Sequence, residues 1–243
     1  MAEGTELLRT ALAAGTTVES VYVSPEGAGE AEVQRVTQMA VKAGARLFTL
    51  GPGVLERVSD TVTPQPVLAV LPMLEHETIE GQPVASPQPG DLLVVLVDVR
   101  DPGNAGTVLR TADAAGARGV VFSGESVDPY NPKTVRASAG SIFHVPFWVQ
   151  PDAPTVAAGL AEAGFRTLAT TAHTGEDYAA MDWSVPTAVF FGNEAAGLDA
   201  EIAATTTGAL AIPMEGKAES LNVGVACAVV CFEALRQRRR PPS

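Results

Sequence analysis

The chain has 243 residues, of which 46% are apolar, and it carries a formal net charge of −12 at pH 7. This length and composition predict a soluble globular protein with one large domain or two modest ones. The acidic balance argues against binding of nucleic acid through bulk electrostatics, because Lys and Arg that neutralise phosphates supply most non-specific affinity.

The first part of the chain alternates β-branched runs with a helical pattern. Strands are predicted at residues 18–23, 46–50 and 66–71, and a helix that ends near Gly44 lies between the first two. These elements predict a small α/β domain over residues 1–72. The stretch from Pro72 to Gly90 has four prolines and no clear period, so residues 73–90 are interpreted as a linker.

The second region, residues 91–243, opens with an apolar run at 92–99 that is typical of a strand buried on both faces of a parallel sheet. A helix is predicted from about 105 to 115. Further strands are predicted at 119–122, 146–149, 167–171, 187–191 and 209–212, followed by a helix at 220–236. Parallel sheets bind ligands beyond the carboxyl ends of their strands, so the loops after Val99, Thr171, Phe191 and Ile212 are the candidate site.

The final helix contains the longest apolar stretch, residues 223–232, which is too short to span a bilayer. No charged-then-apolar leader opens the sequence. These features predict a cytoplasmic protein without a membrane segment. The helix is apolar around most of its circumference, which indicates cover from its own sheet and from a second subunit, although plain intrachain core is the alternative.

Cysteine and histidine give no metal-site pattern. Cys227 and Cys231 are four residues apart and share one face of the final helix, where buried packing is favoured over metal or redox work. His76, His144 and His173 lack ligand spacing, and no metal is predicted.

The C-terminal tail is the most basic segment of the chain, with arginines at 236, 238, 239 and 240. Such a local cluster can bind phosphate despite the acidic net charge, because field focusing depends on where charges sit. A solvated, frayed terminus is the alternative interpretation.

Loop one, residues 101–116, combines a Pro–Gly turn with two candidate functional side chains. Asn104 is predicted to be the N-cap of the following helix, and Arg110 lies six residues further on, inside it. A capped helix with one surface arginine is the purely structural alternative.

Loops two and three carry glycines beside polar side chains. Loop two, residues 190–201, contains Gly192, where a ligand can approach the backbone closely, and the acid Glu194. Loop three, residues 212–235, contains Ser220, the predicted cap of the final helix, together with Asn222. Each pattern also has a purely structural interpretation. Loop two fits a glycine-containing turn into a helix with exposed acids, and Ser220 of loop three fits a simple helix cap.

The order and spacing of the three loops resemble a known family. Loop one resembles its N-x-G-x-x-x-R-T signature, loop two its G-x-E-x-x-G signature, and loop three its I-P-M-x-G-x-x-x-S-L-N-V signature. The family is that of the SpoU, or TrmH-type, RNA 2′-O-ribose methyltransferases of the SPOUT superfamily. The resemblance covers residues 92–238, and the preceding segment is more loosely similar to the family's small RNA-binding domain.

The resemblance implies an α/β fold in which a parallel sheet ends in a deep trefoil knot, the SPOUT methyltransferase fold, behind a small α/β RNA-binding domain. It also implies a homodimer in which the subunits complete each other's sites. Family members often carry a basic stretch and a first strand before the Glu3–Gly4 pair, which this sequence reaches almost at once. The small domain is therefore expected to lack an edge strand and some RNA affinity; a misassigned start is the alternative.

By the same resemblance, S-adenosylmethionine binds bent within the knot, where backbone groups suit a neutral purine. The backbone of Gly192, Ile212 and Leu221 is implied to contact it. The other residues implied at the cofactor are Thr171, Ala172, Asn193, Met214 and Asn222.

The resemblance gives Arg110 a central catalytic part and places Asn104, Glu194, Ser220 and Asn222 beside it. A guanidinium stays protonated up to about pH 12, so Arg110 is unsuited to abstracting a proton. Binding of an RNA phosphate and stabilisation of the developing alkoxide suit it better. Asn104 and Ser220 would orient the ribose hydroxyl, and Glu194 would align Arg110 or its loop.

Residues 131–147 resemble a family segment near the RNA cleft. Lys133 and Arg136 in this segment are candidate phosphate contacts, with ordinary surface charge as the alternative.

Three other functions compete with RNA ribose methylation. A non-catalytic RNA-binding protein could retain the fold, but the complete set of motif residues argues against it. A different nucleotide-using α/β enzyme would need a phosphate loop or an acidic ribose partner, and neither pattern is present. Methylation of a small molecule or a protein stays open because of the acidic balance.

Overall fold

The computed structural model describes residues 1–59, 61, 63–74 and 86–239, which build two separate β-sheets. Most of the predicted linker, residues 75–85 with His76 and Pro83, lies outside the described residues, and so does Arg240. Within the described ranges, no helix is both long and apolar enough to cross a membrane.

The small sheet has four strands in the order β1-β4-β2-β3, with β2 parallel to β3 and antiparallel to β4. Its elements along the chain are β1 (Ala2–Glu3), α1 (Thr5–Ala13), β2 (Ser20–Val23), α2 (Ala31–Lys42), β3 (Arg46–Thr49), α3 (Leu55–Val58) and β4 (Val67–Val70). A 3-10 turn at Gly27–Gly29 precedes α2. The three strands and the helix predicted here are therefore confirmed, whereas α1, α3 and β1 were not predicted.

The edge strand that we expected to be missing is present, because β1 pairs antiparallel with β4 through Ala2 and Glu3. Glu3 is only 8% exposed, and its buried side chain holds this short strand in place. Its carboxylate accepts hydrogen bonds of 2.9 Å from the Ser59 and Thr61 hydroxyls and from the Gln65 backbone N–H. The Arg136 guanidinium lies 3.6 Å away.

Burial alone would raise the pKa of Glu3, but the three hydrogen bonds and the nearby arginine together lower it below its ordinary value. The carboxylate therefore stays charged at neutral pH. It joins the first strand of the small sheet to Arg136, which belongs to the second region of the chain.

The large sheet has seven strands in the order β7-β6-β5-β10-β8-β11-β9, and all its paired neighbours run parallel. This confirms the predicted α/β fold with a parallel sheet. Its elements along the chain are β5 (Leu92–Val97), α4 (Pro102–Ala115), β6 (Gly119–Ser123), α5 (Pro132–Ala137), β7 (Phe147–Gln150), α6 (Ala153–Glu162), β8 (Arg166–Thr171), β9 (Glu176–Asp177), β10 (Thr187–Phe191), α7 (Ala200–Thr205), β11 (Gly208–Ala211) and α8 (Val223–Arg238).

Strand β5 lies inside the sheet and explains the unbroken apolar run, since all six of its residues are buried. Leu92, Val94 and Leu96 pack into one core with residues of α4 and α8. Leu93 and Val95 pack on the opposite face against α6. Helices thus cover both faces of the sheet, as alternating parallel strands and helices require.

Two of the four arginines of the basic tail, Arg236 and Arg238, are engaged within the chain. Arg238 donates hydrogen bonds to the carbonyls of Gly90 (3.1 Å), Ala115 (2.8 Å) and Gly116 (3.3 Å). Burial lowers its pKa. Arg236 pairs with Glu233 at 2.6 Å. Arg238 therefore stabilises the C-terminal end of α4, where a cation also complements the helix dipole.

Candidate active site

A pocket of about 380 Å³ opens beyond the carboxyl ends of β8, β10 and β11. This is the edge of the parallel sheet where the sequence predicts a site. Seven of the eight residues implied at the cofactor line it, namely Thr171, Ala172, Gly192, Asn193, Ile212, Met214 and Leu221. Glu194 and Ser220 also line it, whereas Asn222 lies beside it at the start of α8.

Loop two is closed on itself by the Asn193 side chain and by backbone pairing. The Asn193 carbonyl oxygen Oδ1 accepts from the N–H groups of Ala195 (3.0 Å) and Ala196 (3.1 Å). The backbones of Asn193 and Gly197 exchange hydrogen bonds of 3.0 and 2.8 Å. A Cβ on Gly192 would lie 2.3 Å from the Gly197 carbonyl carbon. Gly192 is therefore required for loop closure, in addition to any close approach by a ligand.

Asp98, which the sequence analysis missed, anchors loop two to the end of β5. Its backbone φ of 57° is left-handed, which Asp tolerates better than most residues. Its carbonyl accepts from Asn193 Nδ2 at 2.9 Å, and its carboxylate accepts from the Glu125 N–H at 2.7 Å. The only sequence signal was a polar residue at the end of an apolar run.

The start of α4 differs from the prediction, because Asp101 and not Asn104 is the N-cap. The Asp101 carboxylate accepts from the Asn104 backbone N–H at 2.8 Å, and Pro102 occupies the first helical turn. Proline is well tolerated there because its missing N–H would have no partner within the helix. The side chain of Asn104 is thus available for other contacts.

Asn104 links loops two and three through its side-chain amide. Its Nδ2 donates to Glu194 Oε1 at 2.7 Å, and its Oδ1 accepts from Asn222 Nδ2 at 2.9 Å. Asn222 also caps α8, since its Oδ1 accepts from the N–H groups of Gly224 (3.0 Å) and Val225 (3.3 Å). The prediction that Ser220 caps this helix is wrong: Ser220 lies two residues earlier and lines the pocket.

Arg110 is exposed on the outer face of α4 and, among the described residues, makes no hydrogen bond or ion pair. Glu194 contacts Asn104 and not Arg110, so it aligns the loops and leaves the arginine unconstrained. Helix α4 packs against α5 at Gly106, where an added Cβ would lie 2.4 Å from the Ala137 Cβ. It packs against α8 at Thr107, which lies next to Gly224. Arg110 therefore projects from an exposed strip between α5 and α8.

The two candidate phosphate contacts on α5 differ in their surroundings. Lys133 is exposed, and its backbone N–H donates to Asn131 Oδ1 at 2.9 Å. The Arg136 side chain is only 25% exposed and pairs with Glu3 of the small sheet. Arg136 therefore joins α5 to the small sheet, and Lys133 is the more accessible cation.

Two further polar residues line the pocket without having been predicted there. His173 follows β8, and Glu219 directly precedes Ser220. His173 could have been predicted from its position just after the predicted strand that ends at Thr171. Its lack of metal-ligand spacing has no bearing on that position. With Glu194, Glu219 gives the pocket wall two acids, which favour a ligand with a positive charge.

The described residues contain no group of three or more His, Cys, Asp or Glu side chains placed to hold a metal. Cys227 and Cys231 are buried side by side on α8, with their Sγ atoms 3.6 Å apart. Their hydrogen bond and burial raise the pKa of Cys227, so its thiol stays protonated. Both side chains fill the core beneath the site.

Comparisons with known proteins agree with the motifs. Residues 91–232 match the model of the SpoU rRNA Methylase family, and residues 1–69 match the MRM3-like substrate binding domain. The 23S rRNA (guanosine(2553)-2′-O)-methyltransferase RlmP of Bacillus subtilis is 33% identical over 231 residues, covering 95% of this chain and 86% of that protein.

A second relative is the tRNA (guanosine(18)-2′-O)-methyltransferase of Thermus thermophilus. It is 41% identical over 151 residues, which are 61% of this chain and 76% of that protein. A crystal structure of an AdoMet-bound rRNA methyltransferase from Sinorhizobium meliloti matches with a TM-score of 0.82 and 33% identity, over 97% of this chain and 86% of that one. The chain therefore belongs to the SpoU rRNA methylase family.

Proposed function

We propose that this protein transfers the methyl group of S-adenosylmethionine to a ribose 2′-hydroxyl in structured RNA, either rRNA or tRNA. The observation that carries the proposal is the pocket at the carboxyl ends of β8, β10 and β11, bordered by the linked side chains of Asn104, Glu194 and Asn222. Relatives named as rRNA and tRNA 2′-O-methyltransferases, and a structural neighbour with AdoMet bound, support it.

The pocket residues fit S-adenosylmethionine in size and chemistry. A volume of about 380 Å³ suits a small-molecule site, and the tight loops present backbone donors and acceptors that suit a purine. The acids Glu194 and Glu219 suit a cationic ligand. When bound, S-adenosylmethionine supplies an electrophilic methyl group on a positively charged sulfur. In our proposal the backbone at Gly192, Ile212 and Leu221 holds it, with Thr171, Ala172, Asn193, Met214 and Asn222 around it.

Arg110 is proposed to act on the RNA. Its exposed guanidinium makes no hydrogen bond or ion pair with other described residues and can form a bidentate pair with a phosphate next to the target ribose. The same positive charge stabilises the ribose oxygen as its proton passes to the RNA phosphate or to a water molecule. Asn104 and Ser220 orient the hydroxyl, while Glu194 and Asn222 hold Asn104 in place. Positioning of this kind can lower a barrier by about 7–11 kcal/mol when the geometry is tight.

We further propose that residues 1–72 bind RNA, that residues 73–90 link the two domains and that residues 91–243 form the catalytic domain, with a trefoil knot near its end. The strand order supports the knot. Strand β10 lies between β5 and β8, while β11 lies beyond β8. After β11 the chain crosses back to place α8 against α4, the helix that follows β5. Because rRNA and tRNA are cytoplasmic substrates, the proposed location is the cytoplasm.

We propose a homodimer in which a second copy covers the outer face of α8. Val225 and Phe232 lie seven residues apart on this face and are 49% and 48% exposed. Arg110 projects from the neighbouring strip of α4, so a partner here would border the reaction site. In analytical ultracentrifugation, Phe232→Asp is expected to yield monomers with little methyl transfer, and Met73→Asp, at another exposed apolar residue, is expected to stay dimeric. A wild-type monomer with full activity would contradict this part of the proposal.

The methyl-transfer proposal is tested by incubating the full chain with S-adenosylmethionine carrying a tritiated methyl group and with RNA from cells that lack the protein. Label is expected in RNA with the wild-type chain. Arg110→Ala is expected to lose at least about a hundredfold in rate while keeping its affinity for S-adenosylmethionine. The matched control Arg35→Ala, on the exposed surface of α2, is expected to keep full activity. An Arg110→Ala variant with unchanged activity would remove the assignment.

A further inference from the structure

At the edge of the small sheet, Tyr22 of β2 and Arg46 and Phe48 of β3 lie on one face, here called the aromatic face. On the opposite face, Val21 and Val23 of β2 pack into the core with residues of α1 and α2, while the residues of the edge strand β3 on that face stay exposed. Strand residues alternate between faces, so Tyr22 of β2 and its pairing partner Phe48 of β3 point away from those helices. All four residues of the edge strand β3 are exposed.

Tyr22 and Phe48 form a stacked aromatic pair with a cation beside it. Their ring centroids are 5.2 Å apart with an interplanar angle of 17°. The Arg46 guanidinium carbon lies 6.0 Å from the Phe48 ring centroid. Phe48 is nevertheless 42% exposed. Exposed aromatic rings that adjoin a cation are typical of surfaces on which nucleobases stack.

The charge distribution of the small domain favours an anionic partner on this face. On its helical side, Arg9 pairs with Glu6 and Arg35 pairs with Glu32, each at 2.7 Å. Arg46 makes no ion pair with a described residue. These two arginines on the helical side are paired with acids, whereas Arg46 on the aromatic face is a cation without an ion pair among the described residues, despite the net charge of −12.

The face of the small sheet that carries Tyr22 borders helix α5 at strand β4. Leu68 pairs with Tyr22 across the sheet and also lines a small hollow with Val135 and Arg136 of α5. Helix α5 packs in turn against α4 at Gly106, one turn before Arg110. Helix α5 therefore lies between the small sheet and the strip of α4 that carries Arg110.

We propose that the aromatic face, defined as Tyr22, Arg46 and Phe48, binds an unpaired nucleotide of the RNA substrate. The base stacks against Phe48, and Arg46 contacts the adjoining phosphate. That the ligand is RNA follows from the proposed function. The aromatic face adds a preference for a single-stranded segment at a fixed distance from the methylated ribose. Duplex RNA would not satisfy it, because paired bases cannot reach the ring.

The test is a fluorescence-anisotropy titration of the full-length protein with a labelled twelve-nucleotide oligo(A) strand and with the same strand in a duplex. Phe48→Ala is expected to weaken single-strand binding about tenfold, the usual effect of removing one stacking residue. Phe48→Trp is expected to restore it. The matched control is Leu47→Ala, which removes a side chain of similar exposure, 47%, from the opposite face of the same strand.

The accompanying kinetics separate this proposal from the methyltransferase proposal. With RNA from cells that lack the protein, Phe48→Ala is expected to raise KM for RNA, with kcat and the Kd for S-adenosylmethionine unchanged.

If the wild-type chain methylates RNA, and Phe48→Ala has the same RNA affinity and the same KM as the wild-type chain, the aromatic face is not an RNA site. The methyltransferase proposal would be unaffected by that result. If the wild-type chain methylates nothing but binding still depends on Phe48, only the function fails. Loss of the dimer in Phe48→Ala would make this face a subunit contact and overturn the proposal.

Discussion

Replacing Gly192 with alanine is predicted to open loop two and to weaken cofactor binding. The added Cβ would lie 2.3 Å from both the carbonyl carbon and the carbonyl oxygen of Gly197 and 2.4 Å from the Leu198 nitrogen. Favourable non-bonded carbon contacts begin near ~3.5 Å, so the two strands of the loop must separate by about 1 Å. All three clashing atoms belong to the backbone, and no side-chain rotation relieves them.

The separation would disturb the hydrogen bonds that hold the loop. The backbone pair between Asn193 and Gly197 and the bond from Asn193 to the Asp98 carbonyl are the contacts at risk. Each such bond contributes about 0.5–1.5 kcal/mol, so a cost of about 1–3 kcal/mol to the ordered loop is expected. That cost corresponds to a five- to 150-fold weaker Kd for S-adenosylmethionine.

Calorimetric titration with S-adenosylmethionine measures this effect directly, with thermal unfolding as a check on the fold. Gly29→Ala is the matched control, because an added Cβ there meets no atom within 4 Å and the backbone φ is not positive. Its cofactor affinity should equal that of the wild-type chain. Wild-type affinity in Gly192→Ala, with the fold intact, would refute the role given to loop closure.

Three more substitutions probe the contacts around the site. Asn104→Ala removes the link between Glu194 and Asn222 and is expected to lower kcat/KM at least about tenfold. It should also lower the free energy of unfolding in urea by about 1–2 kcal/mol. Unchanged kinetics would make the link merely structural. Glu3 has a lowered pKa, so its contribution to stability is present at neutral pH and is lost as pH falls below about 4. Glu3→Gln should flatten this part of a thermal-unfolding profile, and an equally steep acid decline would contradict the assignment. Arg238→Ala leaves three carbonyls without their donor and is expected to cost about 1–3 kcal/mol in urea unfolding. Arg239→Ala, at an exposed neighbour, should cost nearly nothing, and equal losses would argue against a specific role for Arg238.

The longer strands were predictable because they are apolar runs bounded by turn residues, whereas β1 and β9, with two residues each, were not predicted. Strand β10 occupies Thr187–Phe191 as predicted, and β5 is the buried run that opens the second region. Their order in the sheet was not predictable, since the insertion of β10 between β5 and β8 depends on contacts far apart along the chain. The short elements, such as β1 with two residues, lack a period long enough to detect.

Both helix caps were assigned to the wrong residue for the same physical reason. Asn104 and Ser220 are acceptable cap residues, but a better-placed acceptor exists near each helix start. Proline in the first turn of α4 favours Asp101 as its cap, and Asn222 accepts from two amides of α8. The corrections matter for the site, because they release Asn104 to join loops two and three.

The residues of the candidate site could be selected only through the family motifs. Asn104 lies 90 residues from Glu194 and 118 from Asn222, and no periodicity connects them. The left-handed backbone at Asp98 and the presence of His173 in the pocket are tertiary features. Net charge was misleading because Arg46 and Arg110 lie exposed without acidic partners among the described residues, although acids outnumber bases overall.

Methyl transfer to the ribose can be measured by mass spectrometry of the nucleosides from the RNA product. RNA is incubated with the wild-type chain and S-adenosylmethionine that carries a deuterated methyl group, then digested to nucleosides and fragmented. We expect one nucleoside whose ribose fragment carries the deuterated methyl group and whose base fragment does not. Deuterium on a base, or on no nucleoside at all, would contradict the proposed transfer to ribose.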